Sequence, residues 1–366
     1  MPAYKDPASG KWYCKFYYQD YEGNNKQKKK MGFELKREAL EWERDFLLSQ
    51  QAQPDMSFSS FLEIYKKDTY PQLRQKTIIT KDYRFKRILS HFNDIPINEI
   101  TPKDIKRWQN DLIADGLSSR YINEIQNEFS TVLNHAVKFY KLNENPIHKV
   151  GRAKVPNETP TEMRFWTLKE YSHVISHIDD IKAKTAINLL YWTGIRKGEL
   201  LALTLEKINL DKKEIKIDRS LQRIKGKDII TATKTYECRT LKLPDSTVNL
   251  LKEYINSLYK ISPTDRLFDW EKRFIENGIK KGTELANKKI DEHNAENKDK
   301  TPHIKRIHVH GLRHSHASYL INHNINIVLI SKRLGHKNTS ITLDTYSHFY
   351  PTSEDNMLSI MNEENY

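Results

Sequence analysis

His310-Gly311-Leu312-Arg313-His314 places an imidazole and a guanidinium three residues apart. If the stretch opens a helix, both lie on one face about one turn apart. Ser315 to Ile321 (SHASYLI) suits the continuation of that helix over an apolar stripe. Leu334-Gly335-His336 follows soon after, and Tyr346 follows that. His, Arg, His and Tyr thus fall within one short terminal span of a basic chain. Alone they are a cluster, and the rest of the chain must show what they act on.

The 366 residues argue for two or three domains. No run approaches the roughly 20 apolar residues of a membrane span, and no charged-then-apolar start marks a signal peptide. Cys14 and Cys238 lie far apart with no C-x-x-C spacing. That pattern predicts a reducing compartment, neither a disulfide framework nor a thiolate zinc site, and a cytoplasmic protein with no membrane partner. The net charge of +13 favours a polyanionic partner, because neutralising phosphates releases counterions.

Residues 1–53 read as a separate module. Lys11 to Gln19 (KWYCKFYYQ) suits a strand, Asp20 to Asn25 a turn, and Lys26 to Phe33 (KQKKKMGF) a returning strand. Leu35, Ala39, Trp42, Phe46 and Leu47 then recur at helical spacing. Such a sheet would present Lys28, Lys29 and Lys30 with Trp12, Phe16 and Tyr18, and a sheet of this kind can enter a DNA groove with lysines on the phosphates. A solvated basic edge that blocks edge-to-edge pairing is the plainer alternative.

A polar linker, Gln51 to Asp55, separates this module from residues 54–150, which read as all-helical. Ser57 can cap a first helix and residues 77–92 form a second. Thr101-Pro102-Lys103-Asp104 opens a third, with Thr at the N-cap, Pro at N1 and an acid in the first turn. The stripe Ile122, Ile125, Phe129, Val132, Leu133, Ala136 marks a fourth. Most lysines and arginines here belong to solvated faces; Lys81 and Arg84 are the candidates for phosphate contact.

After Gly151 to Thr161, residues 160–366 read as a mixed domain. Thr167-Leu168-Lys169-Glu170 is a capping box. Lys184 to Tyr191 reads as a buried helix that two glycines, Gly194 and Gly198, interrupt. Ile208–Asp211, Glu214–Ile217, Ile229–Thr231 and Arg239–Leu243 are short strand candidates. Ser262 to Thr301 reads as irregular and charged, its second half a surface insertion. A short helix is expected around Met357, Leu358, Ile360 and Met361.

The chemistry open to Arg196, Lys234, His310, Arg313, His336 and Tyr346 is that of a phosphodiester. Arginine donates a planar fork to phosphate and stays charged. A five-coordinate phosphorus gains negative charge on its non-bridging oxygens, and removing one preorganised donor there typically costs roughly 2.7 to 4 kcal/mol. A tyrosine hydroxyl can be the nucleophile if the clamp offsets its poor acidity, and a lysine on a hairpin can protonate the leaving 5′-oxygen.

TGIRKGEL with Arg196, HGLRH with His310 and Arg313, LGH with His336, and Tyr346 ten residues on resemble the tyrosine recombinase (phage integrase) family, whose order is Arg, Lys, His-x-x-Arg, His/Trp, Tyr. Lys234, in Thr233-Lys234-Thr235 ahead of Arg239-Thr240-Leu241, matches the family's hairpin lysine. Glu199 matches the acidic residue after the first Arg, in a supporting role. The likeness covers nearly the whole chain and is closest to the three-domain integrases of phages and integrative elements of Gram-positive bacteria. It implies an α+β multidomain fold. The parts would be an arm-type DNA-binding domain with a three-stranded sheet and a helix, an all-α core-binding domain, and a mostly helical catalytic domain with a small antiparallel sheet.

The resemblance implies that Tyr346 attacks a DNA phosphate to give a 3′-phosphotyrosine and a free 5′-hydroxyl, and that a 5′-hydroxyl of the partner duplex then resolves the linkage. The bond energy is conserved, so neither ATP nor metal is required. Two rounds through a Holliday junction would complete the exchange, within a tetramer on double-stranded DNA bearing core-type and arm-type sites. The tail would pack in trans. The setting would be the nucleoid of a bacterial host, with an excisionase and a host DNA-bending protein as accessory partners.

Tyr350 competes with Tyr346 for the nucleophile's role, and Lys225, Lys227 and Lys242 compete with Lys234. His310 and His314 have the i, i+4 spacing of zinc ligands, but H-E-x-x-H needs a glutamate where Gly311 stands. His314 and His316 therefore read as helix-packing or DNA-facing residues outside the catalytic set. A type IB topoisomerase and a non-catalytic DNA-binding regulator are the rival functions. The N-terminal module and helical clamp weigh against the first, the complete catalytic set against the second.

Overall fold

A computed structural model describes residues 3–7, 9–19, 25–52, 55–159, 162–232, 238–268, 273–297 and 300–347. The expected turn at Asp20 to Asn25 lies largely outside them. Lys234, Tyr350 and the tail helix lie wholly outside. The chain divides into two compact units, Met1–Pro160 and Thr161–Tyr366.

In the first unit β1 (Ala3–Lys5), β2 (Trp12–Gln19) and β3 (Asn25–Phe33) form an antiparallel sheet in that order, with α1 (Lys36–Ala52) on one face. Strand alternation decides which side chains that helix covers. Cys14 and Phe16 point toward it and are buried with Ala3 and Ala39; Trp12 and Tyr18 are half-buried beside Phe33, Trp42 and Phe46. The opposite face carries Tyr13, Lys15 and Tyr17 from β2, and Lys29 opposite Lys15 on β3. Tyr4 of β1 stacks on Tyr13 there, with ring centroids 5.4 Å apart.

α2 (Phe58–Thr69), α3 (Gln75–Phe92), α4 (Pro102–Ala114) and α5 (Ser119–Phe139) make a bundle around Phe58, Phe61, Phe85, Phe92, Trp108 and Phe129. Its caps are those expected. Ser57 Oγ accepts from the Ser60 N–H at 3.2 Å, and Thr101 and Asp104 close a reciprocal capping box.

The second unit opens with α6 (Leu168–Ser176), started by the Thr167–Glu170 box. The central helix α7 (Ile181–Thr193) is buried almost all round. After α8 (Lys197–Leu201) come β4 (Ile208–Asn209), β5 (Glu214–Ile217), β6 (Arg219–Ile224), β7 (Lys227–Ala232) and β8 (Arg239–Lys242). β4-β5-β8 form one antiparallel sheet and β6-β7 a hairpin. β6 is not among the expected strands, because it is polar apart from Leu221 and Ile224. Positive φ at Lys225 and Gly226 turns it tightly into β7.

α9 (Asp245–Ser257) precedes α10 (Phe274–Glu296). The second half of Ser262 to Thr301 is thus a 23-residue helix and not an irregular surface insertion. Ile275, Ile279, Ala286 and Ile290 form a stripe that enters the core beside α6 and α7. Its many charges lie on the other face. α11 (Val309–Asn322) packs on α7, and α12 (Ile327–Leu334) and α13 (Thr339–Tyr346) complete the unit.

Candidate active site

Two glycines set the backbone around the site. Gly194 ends α7 with φ +65°, and a Cβ there would lie 2.7 Å from both His316 and Leu334. Its carbonyl accepts a 2.7 Å hydrogen bond from Arg313 Nη1, so the break after α7 anchors the α11 arginine. Gly335 ends α12 with φ +69°, and a Cβ there would lie 2.7 Å from Arg239 Nη1. Its carbonyl accepts from Arg196 Nη2 at 3.3 Å. Left-handed backbone and close approach both require glycine at these positions.

Glu199 holds the first arginine. Its Oε2 accepts the Arg196 backbone N–H at 3.0 Å, and its Oε1 pairs with Arg196 Nη1 at 2.9 Å. Arg239, at the start of β8, reaches the same carboxylate at 2.6 Å and also donates from Nε to the Arg333 carbonyl at 3.0 Å. The Glu199 side chain is 1% exposed. Burial pushes its carboxyl up, but the hydrogen bond and charge of Arg239, joined by the backbone N–H and charge of Arg196, outweigh that and hold it below the usual range.

Arg313 is buried, and its Nη2 has no hydrogen-bond partner among the described residues. Burial, then the charge of Arg196, lowers it to about 9, so it remains a cation at neutral pH. Arg196 and Arg239 thus share one carboxylate, and the charges of Arg196 and Glu199 both act on Arg313. An orphaned buried donor is costly, and more so when charged. A tetrahedral oxyanion entering here would satisfy it.

The imidazoles are neutral for the same reasons. Burial lowers His310, with Arg313 and Arg196 adding to it. His336 falls to about 4 through burial and the charges of Arg313, Arg196 and Arg239; its Nδ1 lies 2.7 Å from Thr342 Oγ1. Tyr346, 1% exposed at the end of α13, is raised by burial to about 12, with Arg313 pulling the other way. Its hydroxyl lies 2.8 Å from His314 Nδ1.

Arg196, His310, Arg313, His336 and Tyr346 are thus brought together, with Glu199 behind them. His314 was expected to serve packing or DNA; it hydrogen-bonds to the tyrosine instead. Nothing in its local spacing signals that partner, which lies 32 residues on in α13. Arg239, Arg333 and His316 were not anticipated as a group. Arg333 Nε donates to His316 Nε2 at 3.0 Å and its Nη2 to the Trp192 carbonyl at 2.9 Å, tying α12 to α7 and α11. Nothing in the spacing of Arg239 or Arg333 marks either one. Among the described residues no group of three or more His, Cys, Asp and Glu side chains could hold a metal ion.

The expected DNA contacts fare unevenly. Phe16 is 6% exposed and belongs to the module's core, and Trp12 and Tyr18 pack against α1. Strand alternation places Tyr13, Lys15 and Tyr17 on the opposite, outward face. Lys28 and Lys30 lie over rings of α1, 5.4 Å from Phe46 and 4.7 Å from Trp42; Lys29 lies on the open face, 4.7 Å over Tyr13. Lys81 is 13% exposed and ion-paired with Glu128, and Arg84 pairs with Glu124 and Glu128. These two charges cross-link α3 to α5 through ion pairs.

Residues 164–352 match the Phage integrase family, residues 2–50 an arm DNA-binding domain, and residues 57–113 a phage integrase N-terminal SAM-like domain. The ICEBs1 integrase of Bacillus subtilis is 29% identical over 82% of this chain and 82% of its own length. The integrase of Staphylococcus phage L54a is 26% identical over 69% and 76%. A Tn1549 transposon integrase solved with circular-intermediate DNA superposes with a TM-score of 0.66 at 19% identity, over 84% of this chain and 99% of that one. Lambda integrase, solved as a tetramer on a Holliday junction, gives 0.55 at 16% over 93% and 97%. At these identities the structural likeness is one of fold; the sequence matches carry the assignment, and the chain belongs to the phage integrase family of tyrosine recombinases.

Proposed function

We propose that this chain is the site-specific integrase of a mobile element, which cleaves and rejoins double-stranded DNA through a 3′-phosphotyrosine at Tyr346. The observation that carries the reading is the buried Arg313 Nη2, which has no partner among the described residues and whose guanidinium charge also acts on the Tyr346 phenol. A phosphodiester anion supplies what that donor lacks. Arg196 and Arg313 hold its non-bridging oxygens, His310 and His336 complete the clamp, and Lys234 protonates the leaving 5′-oxygen. Glu199 and Arg239 keep Arg196 in place. The covalent intermediate conserves the bond energy, so the exchange needs neither ATP nor a metal.

The same reading divides the chain into an arm-binding domain (1–53), a core-binding domain (54–150) and a catalytic domain (160–366), and the three matched spans support this division. In the arm domain the DNA-facing surface is the open sheet face with Tyr13, Lys15, Tyr17 and Lys29. Assembly as a tetramer is proposed by likeness to lambda integrase. An excisionase and a host DNA-bending protein belong to the same proposal, as does a place on the nucleoid in the cytoplasm. No described helix is long and apolar enough to cross a membrane.

Strand exchange between two duplexes carrying the junctions beside the gene tests this reading. Recombinant product should form in EDTA without nucleotide, and Tyr346→Phe should bind the duplex yet give no product. Product from Tyr346→Phe, or relaxation of supercoils without exchange, would overturn it.

A further inference from the structure

α11 presents His310, Arg313 and His314 on one face, and the two imidazole rings meet edge to face with centroids 4.8 Å apart. His314 reaches the tyrosine, with Nδ1 2.8 Å from Tyr346 Oη. Tyr346 is 1% exposed, so bulk water is poorly placed to receive its proton. A buried phenol that becomes a nucleophile needs an acceptor within hydrogen-bond reach. In the Nε2–H tautomer His314 Nδ1 is that acceptor and the phenol donates to it.

We propose that His314 takes the Tyr346 proton as the phosphate is attacked and returns it when the phosphotyrosine is resolved. This rests on Tyr346 being the nucleophile. In the forward step the Oη–P bond forms, the P–O5′ bond breaks, and the phenol proton passes to Nδ1 to give an imidazolium. The departing 5′-oxygen takes a proton from a separate acid of the protein, the role assigned above to Lys234. In the second step a 5′-hydroxyl attacks, its proton returns to that acid, the P–Oη bond breaks, and Nδ1 hands its proton back to Oη. His310 is left to the phosphate.

The groups acting on His314 explain how an idle site stays idle. Burial, His310 and Arg313 together hold its imidazole down at about 4, while burial holds the phenol up at about 12. The proton therefore rests on the tyrosine. A phosphodiester arriving between Arg196 and Arg313 brings negative charge beside the imidazole, which favours the imidazolium. DNA thus supplies the charge that lets the transfer occur.

The test uses a nicked duplex of the junction beside the gene, made with an ordinary scissile phosphate and again with sulfur in place of the bridging 5′-oxygen. Sulfur leaves as a thiolate and needs no acid. Covalent adduct is timed for the full chain, His314→Asn, His314→Ala and Tyr346→Phe. Asparagine keeps an acceptor oxygen close to the Nδ1 position but cannot hold the proton, so it carries the test if alanine fails to fold. Loss of a general base should slow adduct formation by about 10²- to 10⁴-fold on both duplexes. The residual rate of His314→Asn should rise with pH, and added imidazole should restore part of the His314→Ala rate. An unchanged rate in His314→Asn, or rescue by the sulfur duplex, would overturn the assignment. Adduct from Tyr346→Phe would instead remove the nucleophile on which the proposal stands.

Discussion

Replacing Glu199 by glutamine should unfold the second unit at a lower temperature, by an amount set by charge and not by shape. The carboxylate is 1% exposed and pairs with Arg196 at 2.9 Å and Arg239 at 2.6 Å. Glutamine keeps the volume and one acceptor oxygen, but turns an NH2 donor toward a guanidinium and leaves two buried cations without their counter-charge. Breaking one partner of a buried pair costs about 3–5 kcal/mol. Arg196 is a quarter exposed and can rehydrate, which favours the lower end. At roughly 2–4 °C per kcal/mol for a unit of this size, a loss of about 3 kcal/mol lowers Tm by about 6–12 °C.

The pH dependence follows from the lowered Glu199 carboxyl. A depressed folded pKa gives stability that is present above the unfolded value and lost as pH falls through the folded one. Wild type and Glu199→Gln should therefore differ most at neutral pH and converge below pH 4.5, the ordinary value of the group. Scanning calorimetry of the full chain, which separates the transitions of its units, provides the measurement. Arg239→Met in the Glu199→Gln background should cost much less than in the wild type. Equal Tm values at neutral pH, or a deficit that is the same at every pH, would refute the reasoning.

Gly335→Ala should destabilise the second unit by about 1–3 kcal/mol through its left-handed φ, and should slow adduct formation because the new Cβ displaces Arg239; calorimetry and adduct timing read the two effects. Phe16→Ala should destabilise the N-terminal module by about 3–5 kcal/mol. Tyr17→Ala, one residue on and 71% exposed, should leave stability alone and weaken arm-site binding, as read by melting and by gel shift. Lys29→Ala should lower the slope of log binding constant against log salt by about 0.9 for one phosphate contact. Lys81→Met should leave that slope intact and lower the melting temperature, because Glu128 loses one of its two cationic partners and keeps only Arg84.

The helices were legible because caps and stripes are local. Thr101–Asp104 and Thr167–Glu170 close as boxes where their spacing predicts, and the stripe from Ile122 to Ala136 is the buried face of α5. α10 was not, because charges at Lys280, Lys281, Glu284, Lys288 and Lys289 mask a four-residue apolar rhythm. In the N-terminal module both faces of β2 are aromatic, so alternation alone does not say which face meets the helix; packing of Phe16 against Trp42 and Phe46 settles it. Arg196, His310, Arg313, His336 and Tyr346 could be picked out as an ordered set of motifs, and the fold brings these five together, while Lys234 lies outside the described residues. Glu199 was read as a support, but its second partner Arg239 was not, since the two are 40 positions apart in the chain and meet only after the sheet has formed. His314 was visible in the sequence but not its partner, which arrives from α13.

The most direct test of Tyr346 as the nucleophile is to trap the covalent adduct on a nicked junction duplex, digest it with nuclease and protease, and map the modified peptide by mass spectrometry. A nucleotide attached through its 3′-phosphate should sit on Tyr346, and Tyr346→Phe should yield no adduct. A nucleotide on Tyr350, or an adduct that persists in Tyr346→Phe, would contradict it.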